Sequence, residues 1–227
     1  MHSIITKTLI ASAVIVSSSA ALAAEPQFYI EGNVGQADIG SVKTSRYTGS
    51  VNGYTWDASA SIDYNKPTYW GLEIGANKPG DLPLRLGFAY TTMKAKFRQA
   101  SLTGSVSDGS TTYSGSVPIT RADLGDLGLD FDNRINIYNV NAYYDFDTKS
   151  AVRPYIGFGL GFADIENAED NEFTYSLHAG LNYDISKSTY IGARVGWYRI
   201  SGPTDKLGIA YDDITTTTYG VTVGYRY

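Results

Sequence analysis

Residues 214–227 read I-T-T-T-T-Y-G-V-T-V-G-Y-R-Y. From Tyr219 onward one parity is apolar or aromatic (Tyr219, Val221, Val223, Tyr225, Tyr227), and the other is small or polar (Thr218, Gly220, Thr222, Gly224, Arg226). Successive side chains of a strand point to opposite faces, so this segment carries a greasy face and a wet face along its length. Left unpaired, such a strand is an aggregation hazard. It has to close a larger sheet, and its parity sets the reading of the rest of the chain.

Seven further segments repeat the pattern, around 27–37, 66–77, 83–95, 134–146, 154–164, 172–184 and 189–200. The plainest sets Ile156, Phe158, Leu160 and Phe162 against Tyr155, Gly157, Gly159 and Gly161. Outside the first residues no stretch carries a helical period. The connections alternate in length. Asn77–Leu82, Asp147–Pro154 and Asp184–Thr189 are short and rich in turn residues. The stretches 38–65 and 96–133 are long and rich in Ser, Thr, Gly and Asp. Short turns at one end and long loops at the other are the signature of an outer-membrane barrel. The expected fold is all-β, an eight-stranded antiparallel up-and-down transmembrane β-barrel. Period-two fragments in 46–64 and 97–118 would raise the count to ten if they crossed the membrane. Neither keeps a clean apolar parity, so both are read as hairpins standing above it.

Composition agrees with that architecture. The first residues show Lys7, the apolar run Leu9–Val16 and then Ala21-Leu22-Ala23, the small-x-small pattern of a signal peptidase site. Residues 1–23 are expected to be a signal peptide, leaving 24–227 as one barrel domain. The apolar run is about half of the ~20 residues a spanning helix needs. A barrel hides from hydropathy because only every second residue meets lipid. Nineteen Tyr, eight Phe and three Trp suit aromatic rings at two membrane interfaces. Cysteine is absent, which removes disulfides and thiolate metal sites, and a net charge of −5 argues against nucleic acid as a partner.

Parity also separates a membrane barrel from a soluble ligand carrier, whose apolar parity would line the cavity. Here the bulky uncharged parity contains no charge, while the other concentrates Gly with Glu31, Glu73, Arg85, Asp145, Arg194 and Arg226. Glycine walls with opposite charges suit the inside of a narrow barrel, whose width only accommodates its own side chains. Buried charges persist when they are paired. The expectation is an internal salt-bridge network that plugs the lumen. Glu73 should meet Arg85 across the Asn77–Leu82 hairpin, and Glu31 should meet Arg226 at the seam where first and last strands join.

Few residues point to chemistry. Ser176-Leu177-His178 places a hydroxyl and an imidazole on one strand face. The arrangement is similar, in reversed order, to the His and Ser two apart in outer-membrane lipid A deacylases, and both side chains point to the lumen. The run A-D-L-G-D-L-G-L-D-F-D contains Asp123, Asp126, Asp130 and Asp132, without the spacing or terminal Glu of an EF-hand. It reads as a solvated acidic loop or a short external helix. With His2 in the leader, His178 is the sole imidazole, so no His-based metal site is expected. No catalytic residue, cofactor or metal is assigned.

V-N-A-Y-Y-D-F (140–146), a short turn and R-P-Y-I-G-F-G-L-G-F (153–162) resemble the opacity-type surface antigens and OmpA-like barrel proteins of Gram-negative bacteria. The resemblance extends as a pattern over the whole mature chain. It implies a porin-family surface antigen in the cell outer membrane, surrounded by lipid and lipopolysaccharide. It also implies insertion by the barrel assembly machinery, which reads a terminal strand ending in an aromatic, here Tyr219, Val221, Val223, Tyr225 and Tyr227. Two functions follow. One is a structural or surface-exposed barrel whose loops at 38–65 and 96–133 contact host or neighbouring surface molecules. The other is a small porin-like channel, with a lipid A-modifying acyl hydrolase as a third reading.

Overall fold

A computed structural model describes residues 27–77, 82–126, 132–206 and 208–227. The expected leader 1–23 and the middle of the Asn77–Leu82 turn lie outside the described residues. The elements in chain order are β1 (Gln27–Ile39), β2 (Val42–Lys43), β3 (Tyr47–Val51), β4 (Tyr54–Tyr64), β5 (Thr68–Asn77), β6 (Leu84–Ala95), β7 (Phe97–Ser107) and β8 (Thr112–Thr120). They continue with a short helix α1 (Arg121–Asp126), β9 (Asn133–Asp145), β10 (Val152–Ile165), β11 (Glu172–Asp184), β12 (Thr189–Ile200) and β13 (Ile214–Arg226). Eight of these close into a barrel in the order β1-β13-β12-β11-β10-β9-β6-β5. Every neighbouring pair is antiparallel. Closure matters because a membrane has no water to satisfy a free sheet edge.

The seam joins β1 to β13, with Val34 opposite Val221 and Gly35 opposite Gly220. Phe28 and Tyr227 exchange both backbone hydrogen bonds, at 3.1 and 3.0 Å, and their rings stack at 6.2 Å. The parity read from the sequence sets the faces. Ile74, Phe88, Val140, Ile156, Leu181, Val195 and Val221 are all exposed on the outside of the barrel. Aromatics bound this band at both ends. Trp70, Tyr90, Tyr138 and Phe162 run side by side near the long-loop end, with centroids 5.0 to 5.5 Å apart. Phe28, Tyr225 and Tyr227 cluster near the short-turn end, as Tyr144 and Phe146 do on the far wall. No helix among the described residues is long and apolar enough to cross a membrane. The strands make the crossing.

The two long loops do not remain separate. The hairpin β3–β4 and the hairpin β7–β8 pair through β4 and β7 into one five-stranded sheet beyond the barrel rim, so the barrel count stays at eight. The β3–β4 turn is Asn52-Gly53, with φ of 50° and 81°. Positive φ at both central residues gives the turn twist that matches a right-handed hairpin.

This outer sheet has two chemically different faces. Pairing places Trp56 beside Val106, Ala60 beside Leu102, Val106 beside Tyr113 and Leu102 beside Val117. The opposite face carries Asp57, Ser105 and Ser114 in one row and Ser59, Thr103 and Ser116 in the next.

Candidate functional site

The barrel interior is layered along its axis. Near the short turns lies a charged layer with Glu31, Glu73 and Asp145 against Arg85, Arg194 and Arg226, all buried. Arg194 of β12 reaches across to pair directly with Glu31 of β1, and its second nitrogen lies 3.6 Å from Glu73. Glu73 accepts hydrogen bonds from Tyr29 Oη and Tyr143 Oη, both at 2.6 Å, and from Asn141 Nδ2 at 2.9 Å. Tyr190 Oη donates to Glu31 at 2.9 Å. Arg85 donates to Asp145 at 2.8 Å and stands 3.6 Å from Glu31. Its guanidinium lies over Tyr143 at 4.6 Å and Tyr155 at 4.8 Å, adding cation–π attraction in a desolvated setting. Glu31 and Glu73 each face more than one donor and Asp145 takes both of its contacts from Arg85, so the buried charges are paired, the condition under which they are tolerated.

The local sequence explains this density. Glycines at 75, 87, 157, 180 and 224 occupy the inward parity and leave room for rings on adjacent strands. At Gly157 a Cβ would run into the Tyr143 ring, and at Gly224 into the Tyr190 ring. Small and large residues thus alternate around the wall. Glu31 and Glu73 are 0% exposed and Arg85 is 1% exposed.

Above the charged layer come buried neutral polar side chains, among them Asn33, Asn139, Ser176 and His178, and beyond them the inward parity turns apolar. Ala37 and Ile39 (β1), Met93 and Ala95 (β6), Ile135 and Ile137 (β9), Ala163 and Ile165 (β10), Ile200 (β12) and Ile214 (β13) form a buried core at the long-loop end. Val42, Ile62, Phe97 and Leu124 from the outer sheet and its flanks pack down onto it. A cavity of about 320 Å³ remains between rim and sheet, lined mainly by these aliphatic residues. Polar side chains at Asn133, Asn167, Asp205 and Lys206 sit at its margin.

Residues 8–227 match the family model described as outer membrane protein beta-barrel domain. The chain belongs to that family. Among solved structures it is similar to neisserial surface protein A, at TM-score 0.55 and 15% identity over 89% of this chain and 100% of that one. It is also similar to OprG of Pseudomonas aeruginosa, with TM-score 0.47 and 16% identity over 89% and 96%. Ail of Yersinia pestis follows with TM-score 0.44 and 12% identity over 90% and 100%. No curated protein matches the sequence. The protein is an outer-membrane β-barrel, with long loops outside the cell and short turns in the periplasm. The charged layer therefore lies on the periplasmic side and the aliphatic layer beneath the cell surface.

Within this family barrel the six charges singled out in the sequence share one layer, but two pairings differ from expectation. Arg226 does not reach Glu31. It donates to Asp184 at 3.1 Å and lies 4.3 Å over Tyr190, while Arg153 donates to the same carboxylate at 2.8 Å. Glu73 pairs with Arg194 rather than Arg85, because Arg85 sits opposite Asn77, four residues from Glu73, and turns toward Asp145. The sequence reading missed Asp184 and the tyrosines at 29, 143, 155 and 190. Their signal was present: each occupies the inward parity among glycines, where a ring with a hydroxyl has a polar partner to find.

The Ser176–His178 pair lies inside. Ser176 Oγ is 2.9 Å from His178 Nε2 and accepts from Asn139 Nδ2 at 2.9 Å. The imidazole packs edge-on against Tyr198 at 5.4 Å, and its Nδ1 has no hydrogen-bond partner among the described residues. Among the described residues no carboxylate is hydrogen-bonded to it. The acidic loop is employed structurally: Asp123 accepts from both the backbone N–H and the hydroxyl of Thr120 at 2.7 Å, capping α1. Asp132 accepts from the Phe97 N–H at 2.9 Å and pairs with Arg121. Asp130 lies outside the described residues.

Proposed function

We propose that the barrel is a closed mount that presents the β2–β4 and β7–β8 sheet at the cell surface for contact with host or neighbouring surface molecules. The observation that carries this reading is the ladder Val51, Tyr54, Trp56, Val106 and Tyr113 on the outer sheet, each 40–73% exposed. Exposed aromatic and aliphatic groups on a rigid, hydrogen-bonded sheet are suited to recognition at little entropic cost. The interior supports a mount rather than a conduit, because the charged layer fills the lumen with paired side chains. The buried Ser176–His178 pair fits packing better than catalysis, since a nucleophile needs a route to substrate and an oriented base. On the same reading residues 1–23 direct export, the assembly machinery engages the strand Tyr219–Tyr227, and lipid and lipopolysaccharide cover the apolar parity.

The test pairs two measurements. Purified full-length protein in planar bilayers should show no steady conductance, and nanosiemens openings would replace the mount with a channel. Cells displaying a Trp56→Ser, Val106→Ser, Tyr113→Ser variant at equal surface density should lose adhesion to host-cell layers. Unchanged adhesion would remove the sheet from the function.

A further inference from the structure

The aliphatic layer contains space that its own side chains do not fill. Protein interiors pack to crystal density, and voids larger than a water molecule are few. The cavity of about 320 Å³ is roughly twice the ~150 Å³ that accommodates benzene in an engineered apolar core. Its walls are Ile39, Ile135, Ile165 and Ile214 from four barrel strands, roofed by Val42 and Ile62 of the outer sheet. Tyr64 and Tyr211 also line it, but the aliphatic walls offer water no partners, and an apolar surface of this kind takes an apolar guest. Branched aliphatic walls make close contact with a flexible hydrocarbon chain, and the volume falls in the range of small-molecule sites.

The margin adds a second kind of information. Lys206 Nζ donates to the backbone carbonyl of Glu166 at 2.8 Å, so its charge faces a neutral acceptor. The neighbouring Asp205 is held by the Ile209 N–H at 2.9 Å and by Tyr211 Oη at 3.0 Å. Asn133 and Asn167 bond each other at 2.8 Å on the same margin. A cation with spare N–H donors beside an aliphatic chamber matches a molecule with a hydrocarbon tail and an anionic head. The charged layer beneath blocks the periplasmic direction, so the guest enters from the outer side.

We propose that the cavity beneath the outer sheet is a binding site for a single aliphatic chain bearing a carboxylate or comparable anionic head. The chain comes either from a free fatty acid or from an outer-leaflet lipid. This site is independent of the adhesive face, which lies on the sheet beyond Ala60 and Leu102. Loss of one therefore leaves the other testable.

Isoleucines on both faces of the barrel supply an internal control. The full-length protein, labelled at isoleucine δ1 methyls, is placed in phosphatidylcholine nanodiscs and titrated with decanoate. Saturable shifts at Ile39, Ile135, Ile165 and Ile214 are expected, with no saturable shift at the lipid-facing Ile30, Ile74, Ile156 and Ile191. Nuclear Overhauser contacts from nanodisc acyl chains to the four cavity methyls, before any additive, would assign the chain to a bilayer lipid instead. Filling the cavity with Ala168→Trp should abolish both signals while the folded barrel keeps its fast migration on unheated gels. Lys206→Gln should weaken decanoate by about fivefold, the upper range of an exposed ion pair, and leave decanol unchanged. Shifts that grow linearly and equally on both sets of methyls, or no shift and no contact at the cavity set, would overturn the proposal.

Discussion

Replacing Arg194 with Met tests the charged layer at its centre. Glu31 and Glu73 lie directly opposite each other on β1 and β5. Directly paired positions hold Cβ atoms about 4.5–5.5 Å apart, where like charges repel. Arg194 is the cation that touches both carboxylates, and Arg85 stands 3.6 Å from Glu31 while its stronger bond goes to Asp145. Arg194→Met keeps most of the side-chain volume and leaves two buried carboxylates with one neighbouring cation, Arg85, which is already bonded to Asp145. Removing one member of a buried pair costs about 3–5 kcal/mol. With an m-value of about 2 kcal/mol/M, the urea midpoint should fall by about 2 M. Unfolding is followed in lipid vesicles by tryptophan fluorescence and by mobility on unheated gels. Adding Glu73→Gln should restore part of the loss, because it removes the repulsion that the first change exposes, and a coupling of roughly 0.5–3 kcal/mol is expected for groups in one network. A single variant as stable as the parent, together with a double variant showing no coupling, would refute the claim that these charges hold the barrel.

Three further outcomes follow from the geometry. Gly157→Val should lower barrel stability by about 1–3 kcal/mol in the same urea assay, since its side chain meets the Tyr143 ring in a filled layer. Gly53→Ala, at φ 81°, should cost about 1–2 kcal/mol and raise amide exchange in β3 and β4 while leaving β9–β13 unchanged. In the outer sheet the Ser105 hydroxyl, and then Arg46, hold the Asp57 carboxyl below the usual range, and Ser41, Gln99 and Arg98 do the same for Asp63. Carboxyls lowered on folding stabilise the sheet fully above their unfolded value of about 3.9 and lose that contribution as pH falls through the lower folded value. Amide protection in β4 and β7 should therefore hold from pH 8 to about 5 and decline below about 4, with Asp57→Asn flattening the dependence.

The strands were legible because lipid enforces a binary code. Every outward position must be apolar, so Ile156 through Phe162 announces both a strand and its face, and all eight barrel strands lie within two residues of the alternating segments. The interior code is looser. Which carboxylate Arg226 reaches depends on the slant of the strands: it stands opposite Tyr29 in register, yet its side chain bonds Asp184 two strands away. No local spacing carries that information. The outer sheet was hidden for a related reason. Trp56 pairs with Val106 fifty residues on, and the Ser/Thr alternation of Ser101–Ser107 reads as a solvated loop until the partner strand is known. The aliphatic layer did leave a trace: inward positions at strand ends beside the long loops, such as Ile39, Ile135 and Ile214, break the polar parity where the sequence reading had found only charge and glycine.

The opposition of Glu31 and Glu73 also bears on how the barrel is assembled. Their relieving cation, Arg194, arrives from a strand 163 residues after Glu31. A nascent sheet holding β1 and β5 alone carries two acidic groups face to face with nothing to neutralise them. Arg85 of the neighbouring β6 offsets part of that repulsion, and Arg194 of β12 offsets the rest. In the closed ring the two acids are balanced by cations from different strands, Arg85 of β6 and Arg194 of β12.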